Sequence, residues 1–373
     1  MIPRLLMGIV YYMPMPPTTW TLYTDNPQAW LAMLADCEGA RESIDFENFI
    51  FTPDEIGTKF IDICARKAAE GVKVRFIWDA AGSFSFFGSS IAEDLKAKGI
   101  ELVFFKTLLP GIFTFHRYRS WYFRNHRRTL IVDGNVGFTG SFCISKRMEN
   151  WRDTSVRLEG SVVKEMQNSF ERMWMRAHGK RMPKVKKIKS SDREFEYMLN
   201  SPFPHQHHLY RNLVEAIRNA QKSIVITMPY FVPPHRLMRV LRLAAHRGVE
   251  VKILLPESSD FPTVDLAART FFHTMLKAGM RIYLYTGKMI HSKTIVIDHE
   301  WATVGTLNLD HISLLYNFEA NIVTDNADFA EELVSHFYED LKSTHEVTLE
   351  EWKGRFFVEK IATFLVKFVR IFL

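Results

Sequence analysis

The sequence predicts an α/β protein made of two related halves, each with a central β-sheet flanked by helices. The first observation is a pattern that occurs twice along the chain, which indicates an internal repeat. In both copies, helical stretches alternate with short β-rich runs, as is typical of αβ-layered units. The length of 373 residues suits two units, and 47% hydrophobic with 24% charged residues excludes disorder as the main state.

The repeat consists of three successive matches that keep the same order. Each copy starts with a β-rich run, continues with a helical stretch that ends in Gly-Val before an apolar strand, and adds a second short strand. Because the order is the same in both copies, we predict two halves related by a pseudo-twofold axis, at residues 25–180 and 201–348. The matching ranges are 40–51 with 220–231, 68–74 with 244–251, and 98–102 with 278–282.

Three segments lie outside the predicted halves. Residues 1–24 contain one Arg, no acid and three closely spaced prolines, and they predict an apolar membrane-surface segment rather than a cleaved signal peptide. Residues 181–200 are basic and predict a linker. Residues 349–373 predict a basic amphipathic helix at a membrane surface, the alternative being a helix docked on the core. Its lysines recur every seven residues, at Lys353, Lys360 and Lys367.

Cysteine content and hydrophobicity predict where the protein acts. Three cysteines are an odd number and too few to cross-link this chain, which favours a reducing compartment. The chain has no run of about 18 apolar residues, so no standard transmembrane helix is expected. With the basic C-terminal segment, these features predict a peripheral protein on the cytoplasmic face of the cell inner membrane.

Each half carries one histidine motif. The first pairs His126 with Arg128 and the second pairs His291 with Lys293, and each leads into a run rich in β-branched residues. Residues i and i+2 share one face of a strand, so each imidazole lies beside a cation. The aspartates that close the motifs, Asp133 and Asp298, face away and begin turns, which predicts a structural role for both.

A cation beside an imidazole is suited to an anionic substrate. It lowers the pKa of the imidazole, which keeps the ring nucleophilic, and it also binds phosphate oxygens. Two such motifs in symmetric halves would place two histidines on one substrate in a single shared active site. One would attack and the other would protonate the leaving oxygen.

The doubled motif H-x-[KR]-x4-D followed by G-[ST] resembles the phospholipase D superfamily, and residues 305–319 resemble its cardiolipin synthase-like branch. The resemblance implies a phosphohistidine intermediate, with the first-half histidine as nucleophile and the second as acid and base. It also implies acids, Asp153 and Glu319, that each orient the histidine of the opposite half. They lie 27 and 28 residues after their own motif histidines. The implied phosphate-binding set is Arg128, Lys293, Ser141, Thr306 and Asn308, and no metal or cofactor is implied.

Some residues depart from the family pattern. Arg128 replaces the lysine of the first motif, Cys143 stands where an Asn is usual, and His311 stands where an Arg is common. Arginine still binds phosphate, but its forked geometry differs from that of lysine. An active enzyme therefore remains our prediction, with a catalytically impaired membrane-binding scaffold as the alternative.

Three loops bear on the substrate. Residues 80–88 and 108–115 are apolar, and residues 115–125 interleave basic and aromatic side chains in a way that suits either a lipid headgroup or single-stranded nucleic acid. The apolar loops favour lipid. We predict a phosphatidyltransferase that makes cardiolipin from phosphatidylglycerol and a second phospholipid or a glycerol-type alcohol, on an anionic membrane surface. A phospholipase D-type phosphodiesterase or a nuclease is the runner-up, nucleic acid being the less favoured substrate, and no oligomeric state is predicted.

Overall fold

Two mixed β-sheets form the centre of the molecule, one in each half. The computed structural model describes residues 17–87, 89–105, 123–180 and 194–355, together with residue 366. The strands of the first half are β1 Thr19–Asp25, β2 Ser43–Asn48, β3 Lys73–Asp79, β4 Glu101–Phe105, β5 Thr129–Val132, β6 Val136–Gly140 and β7 Arg152–Glu159. Its helices are α1 Asn26–Gly39, α2 Glu55–Ala69, α3 Ser90–Ala97 and α4 Ser161–Ala177.

The second half repeats this pattern with one extra strand and two extra short helices. Its strands are β8 Phe195–Asn200, β9 Ser223–Thr227, β10 Glu250–Pro256, β11 Arg281–Tyr285, β12 Thr294–Ile297, β13 Trp301–Gly305, β14 Glu319–Thr324 and β15 Thr344–Val347. Its helices are α5 His208–Asn219, α6 His235–His246, α7 Pro262–Lys277, α8 His311–Leu315, α9 Ala327–Leu341 and α10 Leu349–Gly354.

Strand order shows that the two sheets are copies of one topology. The first runs β1-β7-β6-β5-β2-β3-β4, and the second runs β8-β14-β13-β12-β9-β10-β11 with β15 added at its edge. In each sheet the three strands β2-β3-β4 or β9-β10-β11 are parallel, and the other pairs are antiparallel. The predicted α/β fold with two sheets flanked by helices is therefore confirmed.

Local sequence signals explain where several helices begin. The carboxylate of Asp25 accepts a hydrogen bond from the backbone of Gln28 at the start of α1, and Asp54 does the same for two amides of α2. Thr348 and Glu351 form a reciprocal capping box at the start of α10. These side chains satisfy amide groups that have no partner inside the helix.

The two halves are joined by a shared core. One buried cluster contains Ile131 and Val156 of the first sheet together with Val296, Val304 and Phe318 of the second. Helices α4 and α9 contribute apolar side chains to the same cluster. Because burying this apolar surface is favourable, the halves form one body with the motif strands β5 and β12 near the contact.

Some predicted segments differ from the structure or lie outside the described residues. All of strand β1 except its last residue falls in the predicted segment 1–24, and β8 falls in the predicted linker. Both belong to the sheets, because β1 pairs with β7 and β8 pairs with β14. Helix α10 covers the start of the predicted C-terminal helix, and its Trp352 is buried in the core of the second half. No helix of the described ranges is long and apolar enough to cross a membrane. The remaining predictions for residues 1–16, 106–122, 181–193, 356–365 and 367–373 lie outside the described residues.

Candidate active site

Two backbone bridges between the halves bring the histidine motifs to the opposite acids. The amide of His126 donates to the carbonyl of Phe318 over 3.0 Å, and the amide of His291 donates to the carbonyl of Arg152 over 2.7 Å. Both contacts belong to parallel β-bridges, in which the residue before each histidine pairs with the residue before each acid. The same geometry therefore occurs twice, on the two sides of the pseudo-twofold axis.

The side chains at these bridges form crossed imidazole–carboxylate pairs. Nδ1 of His126 lies 3.0 Å from both carboxylate oxygens of Glu319. Nδ1 of His291 lies 3.1 Å from Oδ2 of Asp153. A carboxylate only accepts, so each Nδ1 carries the proton and each Nε2 keeps its lone pair. The structure thus brings together the four residues that the sequence predicts as the catalytic set.

Each free Nε2 faces the cation of its own motif. Nη2 of Arg128 lies 3.1 Å from Nε2 of His126, and Nζ of Lys293 lies 3.0 Å from Nε2 of His291. Both cations also donate to the backbone carbonyl of their histidine. All four side chains are at least nine-tenths buried. Each Nε2 therefore accepts from its cation until another acceptor takes the place of the imidazole.

Electrostatics keep both imidazoles neutral. Burial, together with the charge of Arg128 and against the opposing charge of Glu319, lowers the pKa of His126 to about 4. Burial and the charge of Lys293 lower the pKa of His291 to about 4. Lys293 adds to the effect on His126, and Arg128 adds to the effect on His291. The charges of the two halves therefore act on one shared site.

The remaining charged groups respond to the same environment. Burial and the charge of Arg128 lower the pKa of Lys293 to about 7. Burial tends to raise the pKa of Asp153, but the neighbouring His291 and Lys293 outweigh it and hold that pKa at about 2. Asp310, at the start of α8, has a pKa raised to about 7 by burial. The site thus contains groups whose pKa values are far apart, as is common where protons are transferred.

The motif aspartates hold loops and do not contact the histidines. The carboxylate of Asp133 accepts from the backbone amides of residues 41–43, and that of Asp298 accepts from the amides of residues 221–223. Both aspartates adopt positive φ values, 52° and 57°, in the turns after β5 and β12. Three hydrogen bonds each explain why an aspartate occupies this otherwise strained position. The contacts agree with the structural role predicted for both.

Two of the predicted phosphate ligands contact the orienting carboxylates. The hydroxyl of Ser141 donates to Asp153, and the hydroxyl of Thr306 donates to Glu319 over 2.5 Å. Because these protons are used by the carboxylates, both hydroxyls orient the acids and are not free to donate to a phosphate. Asn308 differs, since within the described residues its buried side-chain oxygen has no hydrogen-bond partner. That oxygen is therefore available as an acceptor for a donor on a ligand.

Arg128 and Cys143, the two departures in the first half, contact each other. Nε of Arg128 donates to Sγ of Cys143 over 3.3 Å, and the guanidinium lies 5.8 Å from the ring centre of Phe49. The thiol therefore accepts a hydrogen bond at the Nε edge of the guanidinium, and sulfur is a weak acceptor. Arginine at this position is held in a defined orientation toward His126.

Sequence reasoning missed several contacts to the imidazoles. Phe49 packs edge-on against His126 at 4.8 Å between ring centres, while Trp151 and Tyr230 pack against His291 at 5.3 and 6.2 Å. Ser313 donates to Oε1 of Glu319 over 2.6 Å. The aromatic residues come from loops after β2, β6 and β9, and the histidine motifs do not include them. Ser313 lies in the motif-rich run 305–319 but had no predicted role.

A metal centre is not found among the described residues. They contain no group of three His, Cys, Asp or Glu side chains arranged to hold an ion. The arrangement that is present consists of two neutral imidazoles, two carboxylates and two cations. This set is suited to covalent transfer of an anionic group through nitrogen.

Comparison with known families places this geometry among phospholipid enzymes. The profile of the family described as "Cardiolipin synthase, PLD-like domain" matches residues 33–174 and 213–341. A cardiolipin synthase of Clostridium perfringens is 33% identical over 379 residues, which covers 93% of this chain and 75% of that protein. One from Halalkalibacterium halodurans is 32% identical over 352 residues, covering 91% of this chain and 69% of that protein.

Solved structures share the fold. A phosphatidylserine synthase of Haemophilus influenzae superposes with a TM-score of 0.73 at 13% identity, covering 95% of both chains. A polyphosphate kinase of Porphyromonas gingivalis gives a TM-score of 0.61 at 11% identity, covering 90% of this chain and 49% of that one. At these identities the likeness concerns the two-half architecture alone.

Proposed function

The chain belongs to the cardiolipin synthase family of phospholipase D-like enzymes, and from this premise we propose that it transfers a phosphatidyl group from phosphatidylglycerol to the hydroxyl of a second phosphatidylglycerol. The products are cardiolipin and glycerol. The observation that carries the proposal is the pair of neutral imidazoles, each with Nδ1 on a carboxylate and Nε2 facing a cation.

In the first step, the substrate phosphate replaces the imidazoles as the acceptor for Arg128 and Lys293. This exchange releases Nε2 of His126, whose lone pair attacks phosphorus while the bond to the glycerol oxygen breaks. Glu319 stabilises the positive charge that develops on the ring, because it already accepts the Nδ1 proton. The result is a phosphatidyl group bound to His126.

His291 passes to the leaving glycerol a proton that it receives from Lys293, since its own Nε2 is unprotonated. Its neighbour Lys293 has a pKa of about 7 and a hydrogen bond to Nε2, so this pair can share a proton. Arg128 cannot give up its proton near neutral pH, and His126 beside it therefore stays a nucleophile. This difference between the two cations supports His126 as the attacking group and His291 as the acid.

In the second step the direction of proton transfer reverses. Nε2 of His291 removes the proton from the hydroxyl of the acceptor lipid, whose oxygen then attacks phosphorus and breaks the bond to His126. Transfer to a lipid alcohol requires that water be kept out of the site. The aromatic rings of Phe49, Trp151 and Tyr230 against the imidazoles support such exclusion.

Exposed aromatic side chains beside the site support a membrane-surface location. Phe261 is 53% exposed and packs on Tyr230, and Phe84 is 62% exposed in a loop held to the carbonyl of Phe49 by Ser83. Phe261 thus contacts the ring that packs on His291, and Phe84 follows the residue that bonds to the backbone of Phe49, whose ring packs on His126. We propose that these rings contact acyl chains while the protein lies on the cytoplasmic face of the inner membrane.

The test uses the full chain with phosphatidylglycerol vesicles in the presence of a chelator. We expect cardiolipin and free glycerol in equal amounts from the wild type, no product from His126→Ala or His291→Ala, and normal product from His299→Ala, an exposed histidine on a turn. Cardiolipin formation that survives either active-site substitution would overturn the mechanism. Phosphatidic acid in place of cardiolipin would indicate a hydrolase, and cleavage of labelled single-stranded DNA without lipid turnover would indicate a nuclease.

A further inference from the structure

Behind the first histidine motif lies a second group of basic side chains that the transfer reaction does not use. Successive residues of an extended segment point to opposite sides, so Arg127 faces away from His126 and Arg128. It meets helix α4, where its Nη1 donates to the hydroxyl of Ser169 over 3.1 Å. Arg172 and Arg176, one turn apart on the same helix, line the same cavity as Arg127.

The three guanidiniums surround a small cavity. Its volume is about 20 Å³, which has room for one water-sized atom, and its wall includes Phe318 and the polar residues Ser201 and Gln206. The guanidiniums of Arg127 and Arg176 lie 5.6 and 5.0 Å from the ring centre of Phe318. The cavity therefore borders Phe318, the residue that precedes Glu319 in the sequence.

Two of these side chains, Arg127 and Arg172, lack partners for part of their charge within the described residues. Arg127 is 3% exposed, and its Nε has no hydrogen-bond partner among the described residues. Arg172 makes no hydrogen bond or ion pair within the described part of the chain. The buried carboxylate of Glu47 interacts with the charge of Arg127. An unpaired buried donor on a charged group costs free energy, so the cavity favours an anion that would pair with it.

Mutual repulsion among the three guanidiniums also favours an anion in the cavity. Burial and the charge of Arg127 lower the pKa of Arg172, and burial with the charges of Arg127 and Arg172 lowers the pKa of Arg176. A carboxylate offers two oxygens, whereas a phosphate group offers enough acceptors for three guanidinium forks. One phosphate oxygen would fill the cavity, and the others would reach the half-buried side chains of α4.

We propose that Arg127, Arg172 and Arg176 form a second anion site, distinct from the transfer site, that binds a phosphate group behind the His126 segment. The ligand is a phosphate ion or the headgroup phosphate of an anionic lipid.

The test measures binding of radiolabelled orthophosphate to the full chain by equilibrium dialysis. We expect two binding sites in the wild type, one of which is lost in Lys293→Met. The other should bind about tenfold more weakly or worse in Arg172→Ala/Arg176→Ala, because each lost guanidinium removes a charge-assisted hydrogen bond. The matched control Lys164→Ala, at the opposite end of α4, should bind as the wild type does. Thermal unfolding of each variant shows that it is folded.

Three outcomes decide the proposal. Unchanged phosphate binding in the folded Arg172→Ala/Arg176→Ala variant would overturn it, even if cardiolipin is formed normally. Loss of one site in that variant supports it, even if no lipid is turned over. Phosphatidylglycerol vesicles then identify the source of the phosphate, with diacylglycerol in a neutral detergent as the control that lacks a phosphate group. Displacement of bound phosphate from the arginine site by the vesicles assigns a lipid headgroup. Retention of bound phosphate assigns the free ion.

Discussion

Replacing Glu319 by glutamine gives the sharpest test of the crossed imidazole–carboxylate pairs. Glu319 is fully buried, and its oxygens accept from His126, Thr306 and Ser313. Glutamine keeps the shape but turns one oxygen into a donor. If that amide nitrogen faces His126, the imidazole proton must move from Nδ1 to Nε2, which removes the attacking lone pair.

The size of the effect follows from these contacts. A hydrogen bond to a charged group contributes about 1.5–3 kcal/mol, and each 1.4 kcal/mol of barrier is tenfold in rate. Loss of the charge alone thus predicts a kcat roughly 10- to 150-fold lower, and the change of imidazole tautomer lowers it further. The fold should survive, because a neutral amide is easier to bury than a carboxylate.

The assay is the initial rate of cardiolipin formation from phosphatidylglycerol vesicles, with thermal unfolding measured on the same samples. Glu331→Gln is the matched control, since that carboxylate is exposed and pairs with the surface residue His299. A Glu319→Gln enzyme that is folded and has the kcat of the wild type would refute the argument that this carboxylate orients His126.

Three further predictions concern neighbouring groups. Binding of phosphate above pH 7 should take up protons, because the anion raises the pKa of Lys293 from about 7. Calorimetry in buffers of different ionisation enthalpy measures this proton uptake. Binding heats that do not depend on the buffer would contradict the prediction. Cys143→Asn should raise rather than lower kcat, since an amide oxygen is a stronger acceptor for Arg128 than sulfur is; a lower rate in vesicle assays would count against this. Gly305→Ala should lower the free energy of unfolding by about 1–3 kcal/mol or more, because its Cβ would lie 2.4 Å from a carbonyl oxygen of β14. Denaturant titration beside Gly354→Ala, where no atom lies within 4 Å, checks the last.

Much of the reaction centre was predictable because the histidine motif and its downstream acid occur twice in the sequence. The acids Asp153 and Glu319 follow their motif histidines by nearly the same number of residues. A pairing of imidazole with carboxylate in one half therefore predicts the same pairing in the other. Alternation along a strand was sufficient to place His126 beside Arg128 and His291 beside Lys293. The repeated order of the matches likewise predicted two sheets of one topology.

What the sequence did not predict depends on contacts between distant segments. Ser141 and Thr306 were expected at phosphate, and their hydroxyls donate to Asp153 and Glu319, because hydroxyl direction is set by neighbours that no motif specifies. Arg127 was predictable as facing away from the site. That it would meet Arg172 and Arg176 depends on how α4 packs, which local sequence does not encode.

The crossed bridges have a consequence for how such a chain can change over time. Each copy of the repeat supplies an acid that only the other copy uses, as when Glu319 serves His126. A substitution of the acid in one copy therefore changes the surroundings of the histidine in the other copy. Neither copy alone would contain a complete imidazole–carboxylate pair. The duplicated halves can differ even inside the buried site, as Arg128 and Cys143 show, but each half still depends on the acid that the other half supplies.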